Sequence, residues 1–282
     1  MPASSIRYDR RQSGTIGFIV KQFDMEIRVM YNGVMDWTDQ GIVLSARRHG
    51  ESSVILTVLT EMHGRFSGLV RGGQSRRNRG VLEQGNLVSA VWRARLEEHL
   101  GNFTVELVTA HAARLLDRAE RLAALNTVCR MLDVCLAERE AHPALFAATV
   151  AVIEALDRDD WAAHLVIWET GLLGELGFGL DLSCCAATGT TDDLSYVSPR
   201  SGRAVSLSAG EPYRDRLLAL PTFLTGRGTA GPGDIIDGLA LSGYFLERHV
   251  YRPQGLRLPD SRERLIEGLR RKFREGAAEL DD

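Results

Sequence analysis

Five arginines fall within the stretch Met62 to Leu82, MHGRFSGLVRGGQSRRNRGVL: Arg65, Arg71, Arg76, Arg77 and Arg79. No acidic residue interrupts them before Glu83, and Gly64, Gly68, Gly72, Gly73 and Gly80 punctuate the run. A guanidinium keeps its charge and presents its donors in a fixed fork that matches phosphate oxygens. An unpaired charge is costly to bury, so this Gly/Ser/Asn-rich segment is predicted to be a flexible, exposed cationic loop between two strands. Such a loop can grip a phosphate backbone. A solvated turn carrying spare charge is the competing reading. Arg47 and Arg48 add a second basic turn upstream.

Other patterns carry less chemistry. Cys184 and Cys185 invite a zinc reading, but a structural site needs four ligands, usually as two C-x2-C pairs. Thr188 stands three positions after Cys185, and no second cysteine pair follows. No metal is expected. Gly226 to Gly231 matches G-x-G-x-x-G literally, yet Leu217–Leu220 before it reads as helix, Pro232 follows it, and no acidic residue stands at the required distance. It is read as a loop. No phosphate-binding P-loop, nucleophile elbow or metalloprotease signature is present. The histidines are scattered and read as surface or packing residues. No catalytic residue and no cofactor are assigned.

The elements that must position the arginines are strands. Apolar runs over Gly41–Gly50, Ser52–Thr60, Arg65–Gly73, Asn86–Leu96 and Gly101–Ala110 are separated by Gly-containing turns. Five short strands at this spacing predict a small barrel. The count fits an oligonucleotide/oligosaccharide-binding (OB) barrel, and periodicity alone leaves an SH3-like barrel open. Near His111 the period lengthens from 2 to 3.6. Helices are predicted from Leu115 to Cys135, from Pro143 through Leu156, and from Trp161 to Leu176 with Asp159 or Asp160 as cap. Further helices are read over Tyr213–Leu220, Gly233–His249 and from Ser261 to the acidic tail.

The fold class is therefore α+β and multidomain: a five-stranded OB barrel over 35–110 followed by an α-helical domain over 111–282. A loop-and-hairpin insertion occupies 181–210, with strands near Leu194–Val197 and Arg203–Leu207. Residues 1–34 are weakly apolar and read either as disordered or as a mis-assigned extension, in the second case with translation beginning at Met35. The terminal helix carries Arg262, Arg264, Arg270, Arg271, Lys272 and Arg274, but interspersed glutamates favour a solvated face.

Composition bounds the rest. The net charge is −3 over 282 residues, so any anion binding must come from local clustering. No apolar run is long enough to span a bilayer, and the start lacks a signal-peptide core. Four cysteines in these positions do not form a disulfide framework, so a reducing cytoplasm is expected.

Several motifs in order resemble the RecO family of bacterial recombination and repair mediators. They are M-x-W-x-D-x-G-I-V-L at Met35–Leu44, G-E-S-S at Gly50–Ser53, H-G-R-F at His63–Phe66 and R-G-x-x-S-R-R at Arg71–Arg77. LLGELGFGLDLSCC and YVSPRSGRAVS in the later half are similar to alphaproteobacterial members. The resemblance runs from Met35 to about residue 250. It implies single- and double-stranded DNA binding, strand annealing, contact with RecR and with the C-terminal tail of single-stranded DNA-binding protein (SSB), and through these the loading of RecA. It also implies a nucleoid-associated cytoplasmic protein. Some members hold a four-cysteine zinc module; this chain keeps one cysteine of its first pair, and zinc is not carried over.

On this reading Arg47, Arg48, Arg65, Arg71, Arg76, Arg77 and Arg79 neutralise phosphates without reading bases. Binding is then sequence-tolerant and salt-sensitive. Phe66, Trp92 and Phe103 are few, and alternation turns some of them inward, so charge is expected to outweigh stacking. Two alternatives stay open from the residues: an RNA-binding OB protein, and a protein–protein adaptor whose arginines meet an acidic partner. An enzyme ranks last.

Overall fold

The computed structural model describes residues 35 to 278; the expectations for residues 1–34 fall outside them. The first strand, β1 (Met35–His49), is 15 residues long and serves two neighbours. Its first half pairs antiparallel with β4 (Leu87–Ala94) and its second half with β2 (Ser53–Thr60). A register shift between Val43 and Ser45 bends it, as an extra residue in a ladder does. With β3 (Gly64–Val70) and β5 (Asn102–Thr109) the strands close in the order β1-β2-β3-β5-β4. The contact between β3 and β5 is parallel, at Leu69 and Asn102. That closure is the OB arrangement.

The barrel interior follows the period-2 pattern. Val54, Leu56 and Val58 point inward from β2, Phe66 and Val70 from β3, and Val88, Ala90, Trp92 and Ala94 from β4. Gly68 completes the β3 series because a Cβ there would lie 2.4 Å from the Phe103 ring. On β1 the faces divide the labour. Val43 joins the barrel core, whereas Ile42 and Leu44, together with Leu59 of β2, are buried against the helices.

A short helix α1 (Arg76–Val81) lies between β3 and β4, and α2 (His111–Arg114) follows β5 directly. The helical part is built from α3 (Ala119–Cys135), α4 (Pro143–Ala155) and α5 (Trp161–Glu175). Asp160 occupies the N-cap position of α5 but makes no capping bond; its carboxylate takes Arg158 at 2.8 Å and His164 at 3.2 Å instead. The insertion holds β6 (Leu194–Val197), β7 (Ala204–Ser206) and the one-turn α6 (Leu207–Gly210). The helix expected over Tyr213–Leu220 is replaced by a 3-10 turn at Glu211–Arg216 and a strand, β8 (Leu218–Ala219), paired with β6. Pro221 explains the end of it, since the residue before a proline is steered to extended backbone.

Two longer helices follow among the described residues, α7 (Pro232–Leu246) and α8 (Asp260–Ala278). Helix α8 packs on α3, with Leu265 and Leu269 buried. Arg262 departs from the solvated face expected of it: it is 5 % exposed and paired with Glu169 of α5. Among the described residues no helix is long and apolar enough to cross a membrane.

Candidate nucleic-acid interface

The arginine segment includes a short helix in place of the loop expected of it. The Ser75 Oγ accepts the Asn78 N–H at 3.3 Å and caps α1. Asn78 Nδ2 donates back to the Gly72 carbonyl at 3.0 Å, and Asn86 Nδ2 to that of Gly80 at 2.8 Å. The Ser and Asn residues that read as loop formers are thus the groups that satisfy the backbone of a short helix. Gln74 fastens this segment to the β1–β2 turn: its Nε2 donates to the Gly50 and Ser53 carbonyls, each at 3.0 Å.

That bridge brings the two basic turns together. Arg47 and Arg48 lie at the end of β1, Arg71 follows β3, and Arg76, Arg77 and Arg79 project from α1; all six are exposed. Among the described residues none of the six has a carboxylate within 4 Å. Arg47 also lines a cleft of about 450 Å³ with Glu83, Asp133 and Arg130, an exposed arginine of α3. Arg130 was not legible as part of this surface, because its placement depends on how α3 packs on β1.

Arg65 stands apart from the other six in having partners within the chain. Its Nε donates to the Leu136 carbonyl at 2.9 Å, and its Nη1 lies 3.4 Å from Asp133 and 3.6 Å from Glu138. The segment after α3 runs along β3, with Arg139 N–H donating to the Arg65 carbonyl at 2.9 Å. Arg139 then lays its guanidinium 4.8 Å from the Phe66 ring centre and bonds the Glu97 and His99 carbonyls. Arg65 and Arg139 therefore seam the barrel to the helices.

The barrel aromatics face inward: Phe66 and Phe103 are each 4 % exposed and Trp92 is 1 % exposed. Trp37 stacks on His63 at 4.2 Å and 8°, and meets Phe66 and Phe103 edge-on. His63 Nδ1 lies 2.9 Å from Asp39 Oδ2.

The residual cysteine module does not fit a metal. Cys185 Sγ accepts the Ser206 N–H at 3.3 Å and the Ser206 hydroxyl at 3.4 Å. Burial raises the thiol, but these bonds and those from Thr188 and the Ala187 N–H bring it down to about 6. The polar side chains that contact this thiol are the hydroxyls of Ser206 and Thr188, and the described residues hold no group of three or more His, Cys, Asp or Glu that could share an ion.

A closed OB barrel with an arginine-rich end, seamed to a helical domain, defines the class of protein. Residues 35–111 match the family description "Recombination protein O N terminal" and residues 116–257 match "Recombination protein O C terminal". The chain is 56 % identical over 239 residues to the DNA repair protein RecO of Rhodospirillum centenum, covering 84 % of this chain and 96 % of that one. The RecO proteins of Rhodospirillum rubrum (52 % over 246 residues, 84 % and 98 % covered) and Mesorhizobium japonicum (51 % over 241 residues, 84 % and 94 %) are similarly close. The chain belongs to the RecO family of DNA repair proteins.

Proposed function

We propose that this chain binds single- and double-stranded DNA through Arg47, Arg48, Arg71, Arg76, Arg77 and Arg79, and anneals complementary strands. The observation that carries the reading is the set of six exposed arginines, without carboxylate partners among the described residues, held on two turns that Gln74 ties together. Annealing must overcome repulsion between two phosphate backbones, and a fixed cationic surface lowers that barrier. Arg65 is left out of the grip because the barrel–helix seam occupies it.

The same reading makes the chain a mediator in the cytoplasm rather than an enzyme. With RecR and the C-terminal tail of SSB as partners it helps load RecA on SSB-coated strands, which requires binding and hand-over but no bond making.

The test is fluorescent single-stranded DNA binding at two salt concentrations, comparing the wild type with Arg76/Arg77/Arg79→Ala. Loss of affinity together with a fall of about 2 in the log–log salt slope supports the grip, since each phosphate contact on a single strand contributes about 0.7. Equal binding by both proteins rejects the assignment. Absence of wild-type binding at low salt favours the adaptor reading.

A further inference from the structure

A second aromatic group lies on the helical domain. After α5 the chain turns at Gly177, whose φ is +83°, and the Phe178 N–H returns to the Leu173 carbonyl at 2.8 Å. This closure calls for an apolar residue that folds back on its own helix. Phe178 occupies that position. Its ring stacks on His249 at 4.9 Å and 12°, and His249 in turn lies parallel to the buried Phe245 at 6.0 Å and 8°. Three rings share one orientation with His249 in the middle, and the outermost, Phe178, is 40 % exposed. His249 is presented by a π-helical turn, Glu247–Tyr251, a rare backbone form that recurs at functional sites.

The charges around this column are sorted. Glu247 is taken by Arg252 at 3.3 Å and Asp181 by Arg203 at 3.2 Å. Arg248 and Arg200 are exposed and, among the described residues, have no carboxylate within 4 Å. Arg248 Nη1 bonds the Pro199 carbonyl at 2.6 Å and the Tyr244 hydroxyl at 3.0 Å, which brings the Ser198–Gly202 turn and its Arg200 alongside. A Cβ on Gly202 would stand 3.8 Å from Phe245, so the turn also borders the ring column.

We propose that Phe178 is a stacking platform for an unpaired nucleobase, with Arg200 and Arg248 taking the flanking phosphates. An exposed ring backed by a stacked column and edged by arginines that have no carboxylate partner among the described residues is the combination that single-stranded nucleic acid recognition uses. A duplex cannot use it, because its base faces are covered. The inference rests on the nucleic-acid reading of the barrel and adds a strand-discriminating contact the barrel lacks.

The experiment uses the full chain and an oligodeoxynucleotide carrying 2-aminopurine, whose emission falls on stacking. Phe178→Leu keeps an apolar side chain at the turn but removes the ring. Its single-strand affinity should drop about tenfold, with quenching lost, and with duplex affinity and salt slope unchanged. Phe178→Tyr should restore quenching, and Arg200→Gln should lower the single-strand salt slope by about 0.7. Wild-type quenching and affinity in Phe178→Leu overturn the platform and leave the patch to a protein partner. If Arg76/Arg77/Arg79→Ala loses binding while Phe178→Leu does not, the barrel reading stands and this one falls.

Discussion

Arg262 and Glu169 face each other as a bidentate pair, Nε to Oε1 at 2.8 Å and Nη2 to Oε2 at 2.9 Å, with the two side chains 5 % and 0 % exposed. The pair joins α8 to α5, and Ser242 of α7 donates its hydroxyl to the same carboxylate. Burial alone would lower the guanidinium's affinity for its proton, but Glu169 outweighs it and the arginine is held above its ordinary value.

Breaking this pair from one side strands a charge in the core. Arg262→Met should cost about 3–5 kcal/mol, the usual penalty for an orphaned buried ion, read as a lower urea midpoint. The double substitution Arg262→Met/Glu169→Leu should recover most of that loss. A single variant as stable as the wild type would mean that water reaches the site.

The barrel was legible and the partners of its charges were not, for a physical reason. Alternation along β1 to β5 reports which residues leave water, so Val54, Leu56 and Val58 or Val88, Ala90 and Trp92 declare the core directly. Charge carries no such signature. Arg65 and Arg76 stand within one basic run, yet Arg65 closes on Leu136 and Asp133, residues about seventy positions away in sequence, while Arg76 stays exposed. Arg262 likewise reads as one of many basic residues on an amphipathic helix until α5 places Glu169 opposite it. The helical order of Arg76–Val81 was missed because Ser, Asn and Gly favour loops locally; here the same polar groups cap a helix.

The division of the arginines can be tested directly. Arg65→Ala should leave the salt slope of single-strand binding at the wild-type value, because that guanidinium touches no phosphate in this scheme. Its effect should appear in stability, at about 1–3 kcal/mol for the unpaired carbonyl and carboxylate it leaves behind. A loss of slope comparable to that of an α1 arginine would return Arg65 to the DNA-binding set.

The turn before Arg65 is a second point of the seam. Gly64 has φ of +67°, and a Cβ there would stand 1.8 Å from the Glu140 carbonyl oxygen. Gly64→Ala adds backbone strain of about 1–2 kcal/mol to a collision with main chain that cannot rotate away. The variant should therefore unfold at a lower temperature than Arg65→Ala. If it melts with the wild type, the 137–140 segment does not pack on β3 in solution.

Asp39 makes the barrel's stability depend on pH from the acid side. Its carboxylate accepts the Met62 N–H and the His63 Nδ1, each at 2.9 Å, and the Gln40 N–H at 2.8 Å. Burial raises this carboxyl, but the three hydrogen bonds together outweigh it and hold the group below its ordinary value. The folded state therefore favours the ionised form more than the unfolded chain does, whose aspartates titrate near 3.9. The stabilisation is complete above that value and is lost as pH falls through the lower, folded one. Asp39→Asn keeps the shape but cannot ionise, and one of its two acceptors becomes a donor. The stability gap between wild type and variant, measured by urea unfolding, should be widest at pH 6 and should shrink as the pH is taken from 5 to 3. A gap that stays constant over that range would show that the Asp39 charge contributes nothing to holding the His63 turn against β1.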